Sequence, residues 1–274
     1  MSASPGGAVP AAQLPTVTLC TVTRNRQEWL PLLQQCVADQ TYPHALMEWL
    51  IVDDSDNGRP AFMPDQGLDV KVNVVDVEPR LSLGKKRNLS QDHCNGEIIV
   101  YLDDDDYYPP QRVQHAVERL LETGHSVAGS TLLPIFFVGN GQAWVSGSFG
   151  PYHATANTFA FRRELLAGRR YEDAATHAEE KAFLDDYQIP MAQLEPARTI
   201  LCMGHSGNMF DKRQLIQAGR NPQMRKLADI ADDFITAERL AAYVRLHLRR
   251  GRQVAAVQAA SAPRSEPNRP VVGA

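Results

Sequence analysis

The sequence predicts an α/β fold: a mainly parallel central sheet flanked by helices, followed by a less regular α+β half and a C-terminal helix. Three observations carry this. Short β-rich apolar runs recur through the first hundred residues, helical spacing separates some of them, and 274 residues with 43% hydrophobic content are enough for a sizeable core. Alternation of this kind belongs to parallel sheets whose faces are covered by helices.

TVTLCTV, at 16–22, reads as the first strand, and 27–39 places Trp29, Leu32, Leu33, Cys36 and Val37 at helical spacing. Three further apolar runs, 48–54, 69–77 and 96–104, are each bounded by polar or Gly/Pro residues and read as strands, with a second helical pattern at 83–94. Pro109 and Pro110 suit a first helical turn, and Val113, Val117, Leu120 and Leu121 then form an apolar face up to Gly124. From about 125 the chain breaks into short pieces such as LLPIFFV, QAWVSGS and ARTILCM. A final helix over roughly 224–250 carries Leu227, Ile230, Phe234, Leu240, Val244 and Leu248 and ends in RLHLRRGR. It can pack on the core, on another subunit, or on an anionic membrane surface.

The expected organisation is a mobile tail at 1–14, a first half at 15–108, a second half at 109–222, the helical segment at 223–252 and a second mobile tail at 253–274, both tails being rich in Ala, Ser, Pro and Gly. A net charge of −4 offers no general attraction to nucleic acid and no nucleic-acid motif is present, so no such partner is expected. Cys20, Cys36, Cys94 and Cys202 never form a CxxC pair and read as reduced, partly buried thiols. The start lacks the pattern of a signal peptide, and no run approaches the roughly 18 apolar residues of a membrane span. A cytoplasmic protein without an integral anchor is the expectation.

The most informative stretch is VYLDDDDYYPP at 100–110, where Asp103, Asp104, Asp105 and Asp106 follow an apolar strand. Two unit charges about 5 Å apart repel by roughly 3 kcal/mol at an effective dielectric near 20, and by under about 1 kcal/mol in water. Four adjacent carboxylates are therefore tolerated only when solvated or neutralised, and a hard divalent cation, Mg²⁺ or Mn²⁺, is an economical partner. A calcium EF-hand loop is excluded, because Tyr108 stands where such a loop needs Gly. In an extended segment Asp103 and Asp105 share one side, leaving Asp104 and Asp106 to cap the following helix. The loop lies at the carboxyl end of a strand, where open α/β sheets bind ligands, and IVDDSDNG ends another strand that can share the same crevice. Such a metal usually shares its shell with phosphate, for which Lys85, Lys86 and Arg87 after Gly84 are candidates.

Together, the opening strand with its Asn-Arg turn and QTYP ending, EWLIVDDSDNG, GKKRNLS and IVYLDDDDYYPP resemble four motifs of the family-2 glycosyltransferases with the GT-A fold, in matching order. The resemblance covers 15–125 well and 150–210 more weakly. It implies that the first half binds a nucleoside-diphosphate sugar, UDP-linked by expectation, and that the second half carries the acceptor site. Asp53 or Asp54 would contact the nucleobase, Thr21 and Arg24 would line the base pocket, and Lys85, Arg87, Asp103 and Asp104 would hold the donor. Asp105 and Asp103 would ligate Mn²⁺ or Mg²⁺, with His205 of LCMGHSGNMF completing the shell. Glu180 of HAEEKAFL takes the place of the family's catalytic Asp, with Glu179 beside it and Asp173 as an alternative base. His153 and Trp144 are weaker candidates for substrate contact, Trp144 reading foremost as core. The implied reaction is inverting transfer to a hydroxyl of a glycan, lipid-linked or protein acceptor. Two alternatives remain: a nucleotide-sugar-binding or scaffold protein with degenerate catalysis, and a nucleotidyltransferase or nucleotide-sugar hydrolase.

Overall fold

A computed structural model describes residues 14–56, 67–78, 80–205, 207–208, 212–217, 221–227 and 234–261, the last without side chains beyond 250. The tail expectations at 1–13 and 262–274 lie outside the described residues.

The first strand, β1 (Val17–Thr23), is followed by α1 (Leu30–Ala38), β2 (Met47–Asp53), β3 (Lys71–Asp76), α2 (Leu83–His93), β4 (Ile98–Tyr101) and α3 (Arg112–Thr123). The second half supplies β5 (Val127–Gly129), β6 (Leu133–Phe137), β7 (Gln142–Ser146), β8 (Ala160–Arg162), α4 (Glu180–Phe183), β9 (Met191–Gln193) and β10 (Cys202–Gly204). Then come α5 (Arg213–Gln217), β11 (Met224–Lys226) and α6 (Ala237–Ser261). The main sheet has the order β3-β2-β1-β4-β8-β5-β9, and in it β8 alone runs against its neighbours. Strands from both sides of residue 108 therefore complete one sheet. A smaller sheet, β10-β6-β7-β11, stands beside it.

The inner strands β1, β2 and β4 are buried on both faces, which is why they read as nearly continuous apolar runs. One core joins Leu19, Trp49, Val100, Trp29, Leu33, Val113 and Leu120; the other joins Tyr101, Phe159, Phe161, Tyr171 and Phe183. All four cysteines are free and buried.

Two expectations about helices change. Residues 224–226 form a strand, because they pair with Trp144–Ser146 of β7, and α6 begins only at Ala237 and continues to Ser261. The acidic residues cap no helix: α3 begins at Arg112 behind Gln111, with no side-chain cap. Within the chain α6 packs on the core, burying Tyr243 as well as Ile235 just before the helix, and Arg239 bonds Gln35 of α1. Among the described residues no helix is long and apolar enough to cross a membrane.

One close approach ties α2 to the second half. The Gly84 amide donates to the carbonyl of Ala175 at 2.9 Å, and a Cβ at Gly84 would fall 1.9 Å from the Glu172 carbonyl oxygen. Gly84→Ala is expected to destabilise the protein by about 1–3 kcal/mol through this overpacking, measured by urea unfolding. An unchanged midpoint would show that the 172–175 loop yields.

Candidate active site

Chain order reverses between β1 and β4, so the carboxyl ends of β2, β1 and β4 open side by side into one crevice. The three ends are stitched together there. The Thr23 hydroxyl at the end of β1 donates to Asp104 at 2.7 Å, and the Lys86 ammonium donates to the Thr23 carbonyl at 3.1 Å and to Asp54. The loops after β2 and β4 do share a crevice.

The turn after β1 is held by Asn25, whose φ of 51° is a left-handed conformation that Asn tolerates better than most residues. Its backbone amide donates to the Ser55 hydroxyl at 2.7 Å and its side chain exchanges bonds with Asp56. This turn sends the flanking arginines to different partners. Arg24 donates to the Asp54 carbonyl at 2.6 Å, while Arg26 reaches the acidic loop.

The four aspartates there have four environments. Asp103, the most accessible, receives Arg87 at 2.9 Å. Asp104 receives Thr23 and one nitrogen of Arg26 at 3.0 Å. Asp105 receives that same Arg26 nitrogen at 2.8 Å, His205 Nε2 at 3.0 Å and Asn208 at 3.1 Å, all on Oδ2. Asp106 receives the Met203 amide at 2.9 Å and Asn157 at 2.8 Å, and its own carbonyl accepts the Tyr243 hydroxyl of α6 at 3.1 Å. The expected alternation does not describe this loop, because the backbone turns at Asp104 and Asp105 instead of remaining extended. Asp104 and Asp105, not Asp103 and Asp105, meet across one guanidinium. Burial and the neighbouring Asp105 charge push Asp104 and Asp106 up to about 7. Burial also acts to raise Asp105, but Arg26 and His205 outweigh it and hold the group well below the usual carboxylate range.

Of the basic cluster on α2, Lys85 is exposed, whereas Lys86 and Arg87 are buried. Consecutive helical residues face different ways, so Lys85 cannot join the two that turn inward. Arg87 lies over the Tyr101 ring, 4.4 Å from its centroid, and its Nε is 3.5 Å from Glu179. Its Nη1 has no hydrogen-bond partner among the described residues. Burial alone would lower this guanidinium's pKa, but Asp103 and Glu179 raise it well above its ordinary value.

The other expected contact residues have varied surroundings. Thr21 is fully buried and accepts from the Trp49 indole at 2.9 Å, so it braces β1 against β2; Thr23, two residues on, lines the crevice. Asp53 spends its oxygens on Ser55 and Gln27, and Asp54 on the Leu81 amide and Lys86, so both shape the crevice from behind. Asp173 is exposed and accepts from Asn88 at 2.8 Å. Trp144 packs against the core, as its leading reading expects. His153 lies between Phe149 and Tyr187, whose rings are tilted to it with centroids 4.6 and 4.8 Å away.

Glu180 opens α4 beside Glu179. Burial first, then the Glu179 charge, push its carboxyl up to about 7. His205 lies flat on Trp29, with centroids 5.0 Å apart, and its Nδ1 accepts from the Gly207 amide at 3.1 Å. In the neutral ring that bond leaves the proton on Nε2, pointing at Asp105.

A cavity of about 400 Å³ is lined by Thr23, Arg24, Arg26, Arg80, Lys86 and Asp104 among others. A second, of about 460 Å³, is lined by Glu172, Glu179, Lys181 and Asp186 among others, and Thr176 belongs to both. Among the described residues no three His, Cys, Asp or Glu side chains converge as a metal cluster. The hard oxygens of Asp105 and its neighbours nevertheless suit Mg²⁺ or Mn²⁺, which take one or two carboxylates and fill the shell with phosphate and water. His205 would ligate only after its proton moved to Nδ1, at the expense of the Gly207 bond.

The model of Glycosyl transferase family 2 matches residues 18–176, which span the crevice, both arginines of the turn, the acidic loop and Asp173. The chain belongs to glycosyl transferase family 2. A curated relative, the putative teichuronic acid biosynthesis glycosyltransferase TuaG of Bacillus subtilis (strain 168), is 25% identical over 130 residues, 44% of this chain and 51% of TuaG. The chain thus spans about half the length of that relative. Among solved structures, the mannosyltransferase PcManGT of Pyrobaculum calidifontis in complex with GDP-Man and Mn²⁺ has a TM-score of 0.59 at 18% identity, covering 96% of this chain and 80% of its own. S. aureus TarS 1-349 with UDP-GlcNAc has a TM-score of 0.55 at 19% identity, covering 71% and 60%. Both likenesses support the GT-A fold of this family-2 chain.

Because the folded chain holds the Glu180 proton more tightly than the unfolded chain does, this group favours folding below about pH 4.5 and progressively less as pH rises towards 7. Glu180→Gln is expected to gain on the order of 1 kcal/mol over wild type between pH 4.5 and pH 8 in urea unfolding. A pH-independent difference would contradict the burial of this carboxyl.

Proposed function

We propose that this family-2 chain transfers a sugar from a nucleoside-diphosphate sugar, UDP-linked in the first instance, to an acceptor hydroxyl with inversion at the anomeric carbon and with Mn²⁺ or Mg²⁺. The observation that carries this is the 400 Å³ cavity, where Arg24, Arg26, Arg80 and Lys86 meet Asp104 at the strand ends. Such a site suits a ligand that is anionic along a diphosphate and able to share a metal. The complexes of TarS with UDP-GlcNAc and of PcManGT with GDP-Man and Mn²⁺ support the donor class.

In this reading Asp105 leads the metal site, with Asp103 and His205 as flanking ligands, and the ion would offset charge developing on the departing diphosphate. The chain's own groups do the rest. Arg87, held rigid and buried between Asp103 and the Tyr101 ring, fixes Asp103 and adds positive charge behind the acidic loop. Lys86 adds positive charge at the cavity wall. Glu180, whose pKa is raised to about 7, takes the proton of the acceptor hydroxyl; a base of that pKa is well matched to neutral pH. Glu179 already engages Arg87 and serves as its anchor. The proposed acceptor entrance is the 460 Å³ cavity, which is lined by Glu179 and Lys181 on either side of Glu180 in the chain and shares Thr176 with the donor cavity. The contacts that Asp53 and Asp54 make with Ser55, Leu81 and Lys86 support their role as shapers of the base pocket rather than direct readers of the base.

Chelation and Asp105→Ala are each expected to abolish transfer from the cognate donor. Glu180→Gln is expected to lower turnover by roughly 10²–10⁴-fold while nucleotide affinity stays near wild type. Radiolabelled donor transfer and calorimetric nucleotide titration check these outcomes, and a full transfer rate in Glu180→Gln would remove Glu180 from the base role.

A further inference from the structure

Arg26 stands apart from the other cations of the crevice. One of its nitrogens, Nη1, lies 3.0 Å from Asp104 and 2.8 Å from Asp105, and the other donates to the carbonyl of Gly207 in the loop after β10. The guanidinium thus sits between the two carboxylates on the cavity side, and its side chain is 19% exposed. Asp105 Oδ2 already has three donors, Arg26, His205 and Asn208. A dication approaching that oxygen meets a resident positive charge and a filled set of hydrogen bonds.

We propose that Arg26 is a displaceable counter-cation that offsets part of the negative charge of the Asp104–Asp105 pair until metal and the donor's diphosphate arrive together. The proposal rests on the metal-and-diphosphate reading of the site. A diphosphate supplies what the metal alone lacks: a second anionic partner for Arg26. A guanidinium fork fits phosphate oxygens as well as it fits carboxylates, and Arg26 already lines the donor cavity, so the exchange needs rotation of one side chain. With the Arg26 guanidinium moved onto phosphate, Asp105 is free to meet the ion. Metal and nucleotide must then strengthen each other's binding by the same factor. An aspartate loop without such an arginine would hold free metal more readily and gain less from nucleotide. Arg26 is in this sense a positioning residue that sets the coupling of metal to donor.

The test is Mn²⁺ binding to the full chain, read by the loss of free Mn²⁺ signal in electron paramagnetic resonance, alone and with saturating UDP or GDP. Wild type is expected to bind Mn²⁺ alone weakly and to gain at least about tenfold with the cognate nucleotide. R26Q keeps hydrogen-bond donors without the charge; it is expected to bind Mn²⁺ alone about tenfold more tightly than wild type and to gain less from nucleotide. R26K keeps the charge without the fork, so its Mn²⁺ affinity should stay near wild type while the nucleotide gain falls. This second variant, with circular dichroism to verify folding, carries the test if R26Q does not fold. Equal Mn²⁺ affinity and equal nucleotide gain in all three proteins overturn the role of Arg26 and leave the metal reading standing. Absence of Mn²⁺ binding in every protein, with both nucleotides, overturns the metal reading and the proposal with it.

Discussion

Carboxylates buried at the ends of β2 and β4 must each be met by a cation or a hydrogen-bond donor, and most of the crevice follows from how that is done. Asp54 is met by Lys86, Asp103 by Arg87, Asp104 and Asp105 by Arg26, and Asp106 by an amide and Asn157. Losing one partner of such a pair typically costs about 3–5 kcal/mol, because the remaining charge is left buried and uncompensated. The cations therefore cannot be chosen independently of the acids. Their positions in turn fix the Asn25 turn, the start of α2 and the loop at His205, which come from distant parts of the chain.

The fold sets up this balance by topology. Placing β1 between β2 and β4 brings three strand ends together, and covering both sheet faces keeps those ends out of bulk water. Support from behind is equally deliberate in its placement: Trp29 backs His205, Tyr243 of α6 bonds the Asp106 carbonyl, and Asn157 holds the Asp106 side chain. The C-terminal helix thus steadies the acidic loop. Second-half residues also reach back to the crevice, since Glu179 touches Arg87 and Asn208 touches Asp105. The two halves are joined there by one interlocked set of side chains.

Much of this is legible in the amino-acid sequence. Apolar runs bounded by Gly and Pro located β1 to β4, and the acidic loop after β4 announced a buried charge in need of a partner. What failed did so for local reasons. Period-two alternation puts Asp103 and Asp105 on one side, but it applies only to extended chain, and the loop turns at Asp104 and Asp105. Thr21 was indistinguishable from Thr23 in a strand buried on both faces. Arg26 carried no signal beyond its place beside an Asn turn, because the left-handed φ of Asn25 decides where it points. The strand at 224–226 depends on pairing with β7, a tertiary contact that overrides its helical spacing.

The central claim is that the crevice between β1, β2 and β4 holds the diphosphate of a nucleotide donor against the acidic loop. A crystal structure of the full chain with Mn²⁺ and UDP or GDP tests it most directly. The account predicts a diphosphate in the cavity lined by Arg26 and Lys86, an ion at Asp105, and Arg26 turned from carboxylate to phosphate. A nucleotide bound elsewhere, with the Arg26 pair to Asp104 and Asp105 intact, would contradict it.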